Sequence, residues 1–222
     1  MNFDPDTARK NMVRQQIRCW DVTNPRVLDV MDAIPRDHFV SDEFSTLAFV
    51  DTELPLDAIS RQRMLTPQLQ GRILQALCPQ PEDTVLEVGT RSGYLTACLA
   101  RLARHVTSID ASATRIDAAT DRLNSLGISN CDLRVQDVYQ RSEPHAFDVI
   151  AVTGSIAKYD PRFEQWLKPG GRAFVVIGKR PAMEACLITR EPDGQTRVDS
   201  LFETVVSPLR VPGETGNMTF IF

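Results

Sequence analysis

The pattern of apolar and polar positions changes period at one point near the middle of the chain. Residues 84–88, T-V-L-E-V, form a short apolar run that is typical of a buried strand, and a glycine at position 89 ends the run. Residues 95–102 then show helical spacing. This order predicts a strand, a glycine turn and a helix. In a parallel sheet such a turn lies at the carboxyl end of the strand, where the helix amino terminus faces a ligand crevice.

The alternation of strand and helix continues to the end of the chain. Further strands are predicted at H-V-T-S-I-D, C-D-L-R-V-Q-D and F-D-V-I-A-V-T-G, with a helix after the first of them that Ser112 caps and Gly127 ends. A Pro-Gly-Gly turn precedes a fifth strand, and E-A-C-L-I-T-R and S-L-F-E-T-V-V-S-P-L follow as two more, joined by the turn E-P-D-G-Q. Almost continuously apolar runs indicate strands that are buried on both faces. We therefore expect an α/β fold with a doubly wound, mostly parallel sheet of seven strands.

The first third of the chain has helical rather than strand periodicity. Amphipathic helices are predicted over residues 4–18, from about Pro25 to Pro35, and from Pro67 to Leu77, where Thr66 is an ordinary N-cap. No linker rich in glycine or serine separates this part from the strands. We expect a helical segment over residues 1–78 and a cofactor-binding domain over residues 79–222, packed as one compact unit.

Composition excludes several classes of function. The 25 basic and 29 acidic residues give a net charge of −4 without long runs of one sign, so nucleic acid is not predicted as a partner. Five widely spaced cysteines are typical of reduced core residues in a cytoplasmic protein, and the three histidines lack the spacing of a metal site. No apolar run has the length of a signal peptide or a membrane span. We predict a cytoplasmic protein with neither a metal nor a membrane partner.

The spacing of glycines around the turn bears on the ligand. Gly89 and Gly93 are separated by three residues, so the G-x-G-x-x-G fingerprint of dinucleotide binding is absent and an NAD-dependent dehydrogenase is disfavoured. Asp110 ends the next predicted strand, about twenty residues after the turn, where a carboxylate can accept hydrogen bonds from two ribose hydroxyls. A nucleotide-type ligand is therefore expected. The alternative is a turn at the sheet edge that binds nothing.

The motif V-L-E-V-G-T-R-S-G-Y, followed by V-T-S-I-D, resembles the S-adenosylmethionine-dependent methyltransferases, and most of all the protein-L-isoaspartate O-methyltransferase family. The segments M-V-R-Q-Q-I, A-F-V-D-T-E-L-P-L and F-E-T-V-V-S-P-L-R-V-P-G-E are also similar to that family. The resemblance implies a Rossmann-like methyltransferase sheet, S-adenosyl-L-methionine as cofactor, and damaged proteins or peptides that carry isoaspartate as substrates. The cofactor-binding residues that it implies are Glu87, Gly89, Thr90, Ser92, Gly93, Asp110, Asp137, Val138 and Thr153.

The chain departs from the family pattern in two places. Arg91 stands where the family usually has a glycine, and we expect its side chain to turn away from the cofactor. The loop D-A-I-S-R-Q-R-M-L-T-P-Q replaces a family loop of the type G-Q-T-I-S-Q-P, so that Leu65 falls on the serine position and Thr66 and Ser60 remain as candidate catalytic hydroxyls. Two alternatives stay open: a divergent member that methylates another acceptor, and a cofactor-binding protein without isoaspartyl activity.

The reaction makes few demands on catalytic side chains. Methyl transfer from a sulfonium is an in-line displacement whose rate depends on orientation and on removal of water. A carboxylate acceptor is already ionised at neutral pH and needs no base. For an amine or phenol acceptor the candidate bases are Asp51, Asp57, His38 and Tyr159, each of which has a simpler structural explanation.

Overall fold

The computed structural model describes residues 3–56, 62–140 and 144–209. The chain begins with α1 (Pro5–Asn11), which continues through a π-helical turn (Met12–Ile17) and a 3₁₀ turn (Arg18–Trp20). Helix α2 (Pro25–Ala33) follows, and the side chain of Asn24 caps it. The first predicted helix is therefore present, but only its amino-terminal half is α-helical.

The connection to the sheet is irregular, as the many turn residues predict. Two 3₁₀ turns (Arg36–Phe39 and Asp42–Leu47) lead to a small antiparallel hairpin of β1 (Leu54–Pro55) and β2 (Arg63–Met64). Helix α3 (Pro67–Leu77) starts directly after this hairpin. Residues 57–61, which include Ser60, lie outside the described residues.

A seven-stranded sheet follows. Its strands are β3 (Thr84–Val88), β4 (His105–Asp110), β5 (Cys131–Val135), β6 (Phe147–Ile156), β7 (Leu167–Lys179), β8 (Ala182–Arg190) and β9 (Thr196–Glu203). Their order in the sheet is β5–β4–β3–β6–β7–β8–β9. The first five strands in this order are parallel, whereas β7–β8 and β8–β9 are antiparallel. The expected mostly parallel, seven-stranded sheet is thus confirmed.

Both faces of the sheet are covered, which explains the continuous apolar runs. On one face, strand residues such as Val85 pack with the amino-terminal helices, α3 and α4 (Tyr94–Leu102). On the other face, Leu86 belongs to a second cluster that includes residues of α6 (Arg162–Trp166). Helix α5 (Ala113–Ser125) connects β4 to β5. Adjacent residues of one strand therefore enter two cores, as a doubly wound sheet requires.

The last strand differs from its prediction. The sequence pattern predicts a strand over residues 200–209, but β9 starts at Thr196 and ends at Glu203. The chain then crosses to the end of β6, where the Leu209 N–H donates to the Ser155 carbonyl at 2.8 Å. Pro208 lacks the N–H that a regular ladder would need, so a strand could not continue through it unchanged.

Two further predictions concern the surface. Cys98 and Cys186 are buried as predicted, but Cys19 is exposed, so the prediction of a core position is wrong for that residue. It lies on the 3₁₀ turn that follows the π-helical segment, and this change of helical pitch alters which side chains face inward. In the described part of the chain, the helices are too short or too polar to cross a membrane.

Candidate functional site

A crevice opens at the carboxyl ends of β3, β4 and β6, where the sequence analysis places the ligand. Val88, Ile109 and Val138 supply apolar walls, and Asp110 supplies a carboxylate. The tail after β9 closes one side through Leu209. Gln62, Gly89, Arg91, Ala111, Arg115, Gln136, Thr153, Gly154 and Pro208 complete the lining.

The glycine turn between β3 and α4 approaches its neighbours too closely for side chains. Gly89 has φ +94°, and a Cβ placed on it would lie 2.3 Å from the Thr153 hydroxyl oxygen. Gly93 has φ +87°, and its Cβ would lie 2.9 Å from that of Ala119 on α5. Both positions need glycine for backbone conformation and for space. The packing of the turn against β6 and α5 therefore explains these two glycines, whether or not a ligand binds.

The side chains of Glu87 and Thr90 are buried and are not among those that line the crevice. The buried Glu87 carboxylate accepts hydrogen bonds from Ser108, at 2.6 Å, and from Thr96. Burial raises the pKa of Glu87 to about 7, although both of these hydrogen bonds act to lower it. The hydroxyls of Thr90 and Ser108 are 2.7 Å apart. These contacts join the turn to β4 and α4, which gives both predicted residues a structural role.

Asp110 projects into the crevice from the end of β4, as predicted, but its oxygens already have donors. The backbone N–H groups of Arg91 and Ser112 donate to them at 3.2 and 3.0 Å. The Arg115 guanidinium forms an ion pair with the same carboxylate at 2.7 Å. Arg115 was not among the predicted site residues. Its place in the first turn of the helix that follows Asp110 is the only sequence signal that could have identified it.

The Arg91 side chain points into the crevice, so the expectation that it turns away is wrong. Arg91 has φ +53°, in the left-handed region. Its Nε donates to the Thr153 hydroxyl at 3.1 Å and its Nη2 to the Thr153 carbonyl at 2.7 Å, while Nη1 donates to the Arg63 carbonyl at 2.5 Å. The two Thr153 oxygens lie on β6 and the Arg63 oxygen lies on hairpin strand β2. Hydrogen bonds to these oxygens hold the Arg91 side chain in the crevice.

Some of the remaining predicted cofactor residues line the crevice, and the side chains of the others form hydrogen bonds to the backbone next to it. Thr153 and Val138 line the crevice. The Ser92 hydroxyl accepts the Tyr94 N–H at the start of α4. Asp137 accepts the Tyr139 N–H at 2.9 Å, in a turn after β5, while its neighbours Gln136 and Val138 form the crevice wall. The role of Asp137 in cofactor binding remains a prediction.

Thr66 stands at the amino end of α3, where its hydroxyl oxygen accepts the Leu69 N–H at 3.3 Å. Burial raises the pKa of the Asp51 carboxyl, an effect that the Thr66 hydroxyl acts to reduce. Leu65 is buried, and its carbonyl accepts a 2.6 Å hydrogen bond from Arg36. Arg36 is a fully buried residue that sequence reasoning missed, because only the fold reveals its acceptors, which are the carbonyls of Ala48 and Leu65 and the Gln70 side chain. Of the two candidate catalytic hydroxyls, Ser60 lies outside the described residues.

The other candidate bases have local structural roles. His38 Nε2 lies 2.7 Å from the Ser125 hydroxyl, and Tyr159 donates to Glu164. Burial and the neighbouring Glu164 carboxylate raise the pKa of Tyr159, which opposes its action as a base. Asp57 lies outside the described residues. None of the described candidate bases is among the residues that line the crevice.

The chemical groups of the crevice suit the cofactor that the resemblance implies. The free space in the crevice, however, is too small for that cofactor. An aspartate at the end of β4 suits a ribose, and the apolar walls suit a purine. The space that water can occupy is about 40 Å³, however, whereas sites for small organic ligands usually have roughly 300 Å³ or more. The side chains of Arg91 and Arg115 both line this small space, where they contact the Thr153 carbonyl and the Asp110 carboxylate.

Comparisons with known proteins agree with this geometry. Residues 7–211 match the family model described as Protein-L-isoaspartate(D-aspartate) O-methyltransferase (PCMT). A protein-L-isoaspartate O-methyltransferase of Syntrophus aciditrophicus is 36% identical over 183 residues, which are 82% of this chain and 83% of the relative. One of Paracoccus denitrificans is 34% identical and covers 94% of this chain and 97% of its own.

A solved structure shares the fold. It is a protein-L-isoaspartate O-methyltransferase from Plasmodium falciparum in complex with S-adenosyl-L-homocysteine, with a TM-score of 0.78 and 18% identity, covering 91% of this chain and 98% of that one. At this identity the likeness concerns the fold. Because the family model matches nearly the whole chain, and the two bacterial relatives match it over most of their length, the chain belongs to the protein-L-isoaspartate(D-aspartate) O-methyltransferase family.

Proposed function

We propose that this chain is an S-adenosyl-L-methionine-dependent protein-L-isoaspartate O-methyltransferase that acts in the repair of damaged proteins. The observation that carries the proposal is the crevice at the carboxyl ends of β3 and β4, with Asp110 at its edge, in a chain that matches the family over residues 7–211. Family membership supports isoaspartyl proteins or peptides as substrates and the cytoplasm as the site of action.

The chain's own groups would hold the cofactor at identifiable places. The Asp110 carboxylate would accept hydrogen bonds from the ribose hydroxyls in place of those from Arg115. Val88, Ile109 and Val138 would flank the purine. We assign the cofactor side to residues 79–222 and the acceptor side to residues 1–78, where Thr66 stands at the amino end of α3.

When bound, S-adenosyl-L-methionine would supply an electrophilic methyl group, which would pass to the acceptor carboxylate oxygen as the C–S bond breaks and sulfur keeps the electron pair. No proton moves, so no general base is required. The role of this chain is to orient the two partners and to exclude water. The absence of His38 and Tyr159 from the crevice lining is consistent with such a reaction.

A second acceptor class is favoured by one observation. Leu65, at the family's serine position, is buried and directs only its carbonyl toward a partner, Arg36. An acceptor that relied on a hydroxyl at that position would lose a hydrogen bond, at a cost of about 1–3 kcal/mol. A divergent family member that methylates another acceptor is therefore the second candidate.

The test uses S-adenosyl-L-methionine labelled in its methyl group. An isoaspartyl peptide and its aspartyl twin are incubated with the protein, with Asp110→Ala as the impaired control. Base-labile label on the isoaspartyl peptide alone is the expected result. Label on other proteins of a cell extract, but not on this peptide, would favour the second candidate. If no transfer to any acceptor occurs, the proposal of a methyltransferase is wrong.

A further inference from the structure

The Arg91 side chain joins three elements that surround the crevice. It starts from the glycine turn after β3 and reaches Thr153 on β6 with two nitrogens. Its third nitrogen bonds the carbonyl of Arg63 in the hairpin. One flexible side chain therefore connects the turn, the central sheet and the segment that precedes α3.

The Arg91 guanidinium makes contacts that can be broken at modest cost. All three of its side-chain acceptors are neutral oxygens, and within residues 3–56, 62–140 and 144–209 no carboxylate forms a salt bridge with it. The residue is only 7% exposed, and burial lowers the pKa of the guanidinium to about 10, although the carboxylates of Glu53 and Asp110 act to raise it without a salt-bridge contact. A buried cation without an ion-pair partner is held less firmly than a paired one. Its release into solvent is accordingly less costly than the breaking of a buried ion pair.

The backbone conformation at position 91 favours glycine over arginine. With φ +53°, Arg91 adopts a left-handed conformation that side chains with a Cβ rarely take and that glycine takes freely. The fold at the turn therefore does not require arginine. What the arginine adds is the connection across the crevice.

We propose that Arg91 determines access of the cofactor: its side chain latches the hairpin and β6 to the glycine turn, and S-adenosyl-L-methionine or its product enters when this side chain swings out. With the latch closed, only about 40 Å³ of the crevice can hold water. This inference rests on the proposed function, since it takes a nucleoside cofactor as the ligand. It predicts that wild-type affinity is reduced by the need to open the latch.

The test is calorimetric titration of S-adenosyl-L-homocysteine into four proteins. Arg91→Gly relieves the left-handed conformation and removes the latch. Arg91→Asn tolerates the same conformation and is too short to span the crevice. Arg122→Ala is the matched control, because Arg122 donates to the Ser92 carbonyl of the same turn at 3.2 Å without lining the crevice. Both Arg91 variants should bind about tenfold more tightly than wild type, whereas the control should match wild type.

A second measurement needs no ligand. Loss of the bond to the Arg63 carbonyl should accelerate amide hydrogen exchange over residues 62–65 in both Arg91 variants but not in Arg122→Ala. Unchanged exchange, or binding by wild type that neither Arg91 variant improves, would overturn the latch alone. If none of the four proteins binds S-adenosyl-L-homocysteine or S-adenosyl-L-methionine, the proposed function fails together with the latch.

Discussion

The buried carboxyl group of Glu87 makes a testable contribution to the pH dependence of folding. Its two hydrogen bonds, from Thr96 and Ser108, end on the same oxygen, Oε2. The other oxygen, Oε1, is buried without a hydrogen-bond partner among the described residues. Ionisation in this environment is unfavourable, because burial costs the charged form more than the two hydroxyl donors and the Arg91 guanidinium compensate. Burial accordingly raises the pKa of Glu87 from 4.5 to about 7.

The direction of the effect follows from proton linkage. Between pH 4.5 and 7 the folded protein holds a proton on Glu87 that the unfolded chain has lost, so stability falls as pH rises through this window. Below pH 4.5 both states are protonated and the group adds no pH dependence. The raised pKa corresponds to a total loss of about 3 kcal/mol once the pH passes 7, part of which has already occurred at pH 5.

Glu87→Gln keeps the shape and an acceptor oxygen but cannot ionise. We expect its unfolding free energy relative to wild type to rise between pH 5 and pH 8 by on the order of 2–3 kcal/mol. Urea unfolding at pH 5, 6, 7 and 8 measures this difference, in which the shared contributions of other groups cancel. Glu184→Gln, at an exposed position on β8, is the control. A Glu87→Gln difference that stays constant over this range would refute the reasoning.

Three further predictions concern the crevice and its supports. Asp110→Ala should weaken binding of S-adenosyl-L-homocysteine by roughly 1.5–3 kcal/mol in calorimetry, and unchanged affinity would reject the ribose contact. Arg36→Met should lower the unfolding free energy by about 3–5 kcal/mol, because it leaves the carbonyls of Ala48 and Leu65 without their buried donor; urea unfolding with a loss below about 1 kcal/mol would contradict this. Thr66→Val should cost about 1 kcal/mol as a lost N-cap while Thr66→Ser costs less. Transfer rates of these folded variants separate capping from catalysis, since a pure cap predicts equal rates.

Much of the fold follows from the sequence because its signals are local. The apolar run of β3, the glycine after it and the helical spacing of α4 each depend on neighbouring residues. The position of Asp110 at the crevice follows as well, since β3 and β4 are parallel and Val88 pairs with Ile109 at their shared end. A carboxylate one residue further must then lie near the turn.

The parts that the sequence did not predict depend on long-range side-chain contacts. The direction of Arg91 is set by carbonyls 28 and 62 residues away along the chain. Arg36 bonds backbone groups that only the folded chain brings together. The end of β9 depends on pairing between the tail and Ser155 of β6. No periodicity records contacts of this kind, because each depends on where separate elements meet.

The two departures from the family pattern are connected in the structure. Arg36 holds the Leu65 carbonyl from the amino-terminal side, and Arg91 holds the Arg63 carbonyl from the crevice side. The short segment between them, which leads to Thr66, is therefore fixed at two points by buried guanidinium groups. Because residue 65 is buried and tied in place, a small shift of this segment cannot restore a hydroxyl at the family's serine position. The choice of acceptor in this chain should accordingly depend on Thr66 and on whether the Arg91 side chain releases the hairpin. Under the proposal made above, the same side chain would control cofactor entry and the position of residues 63–66.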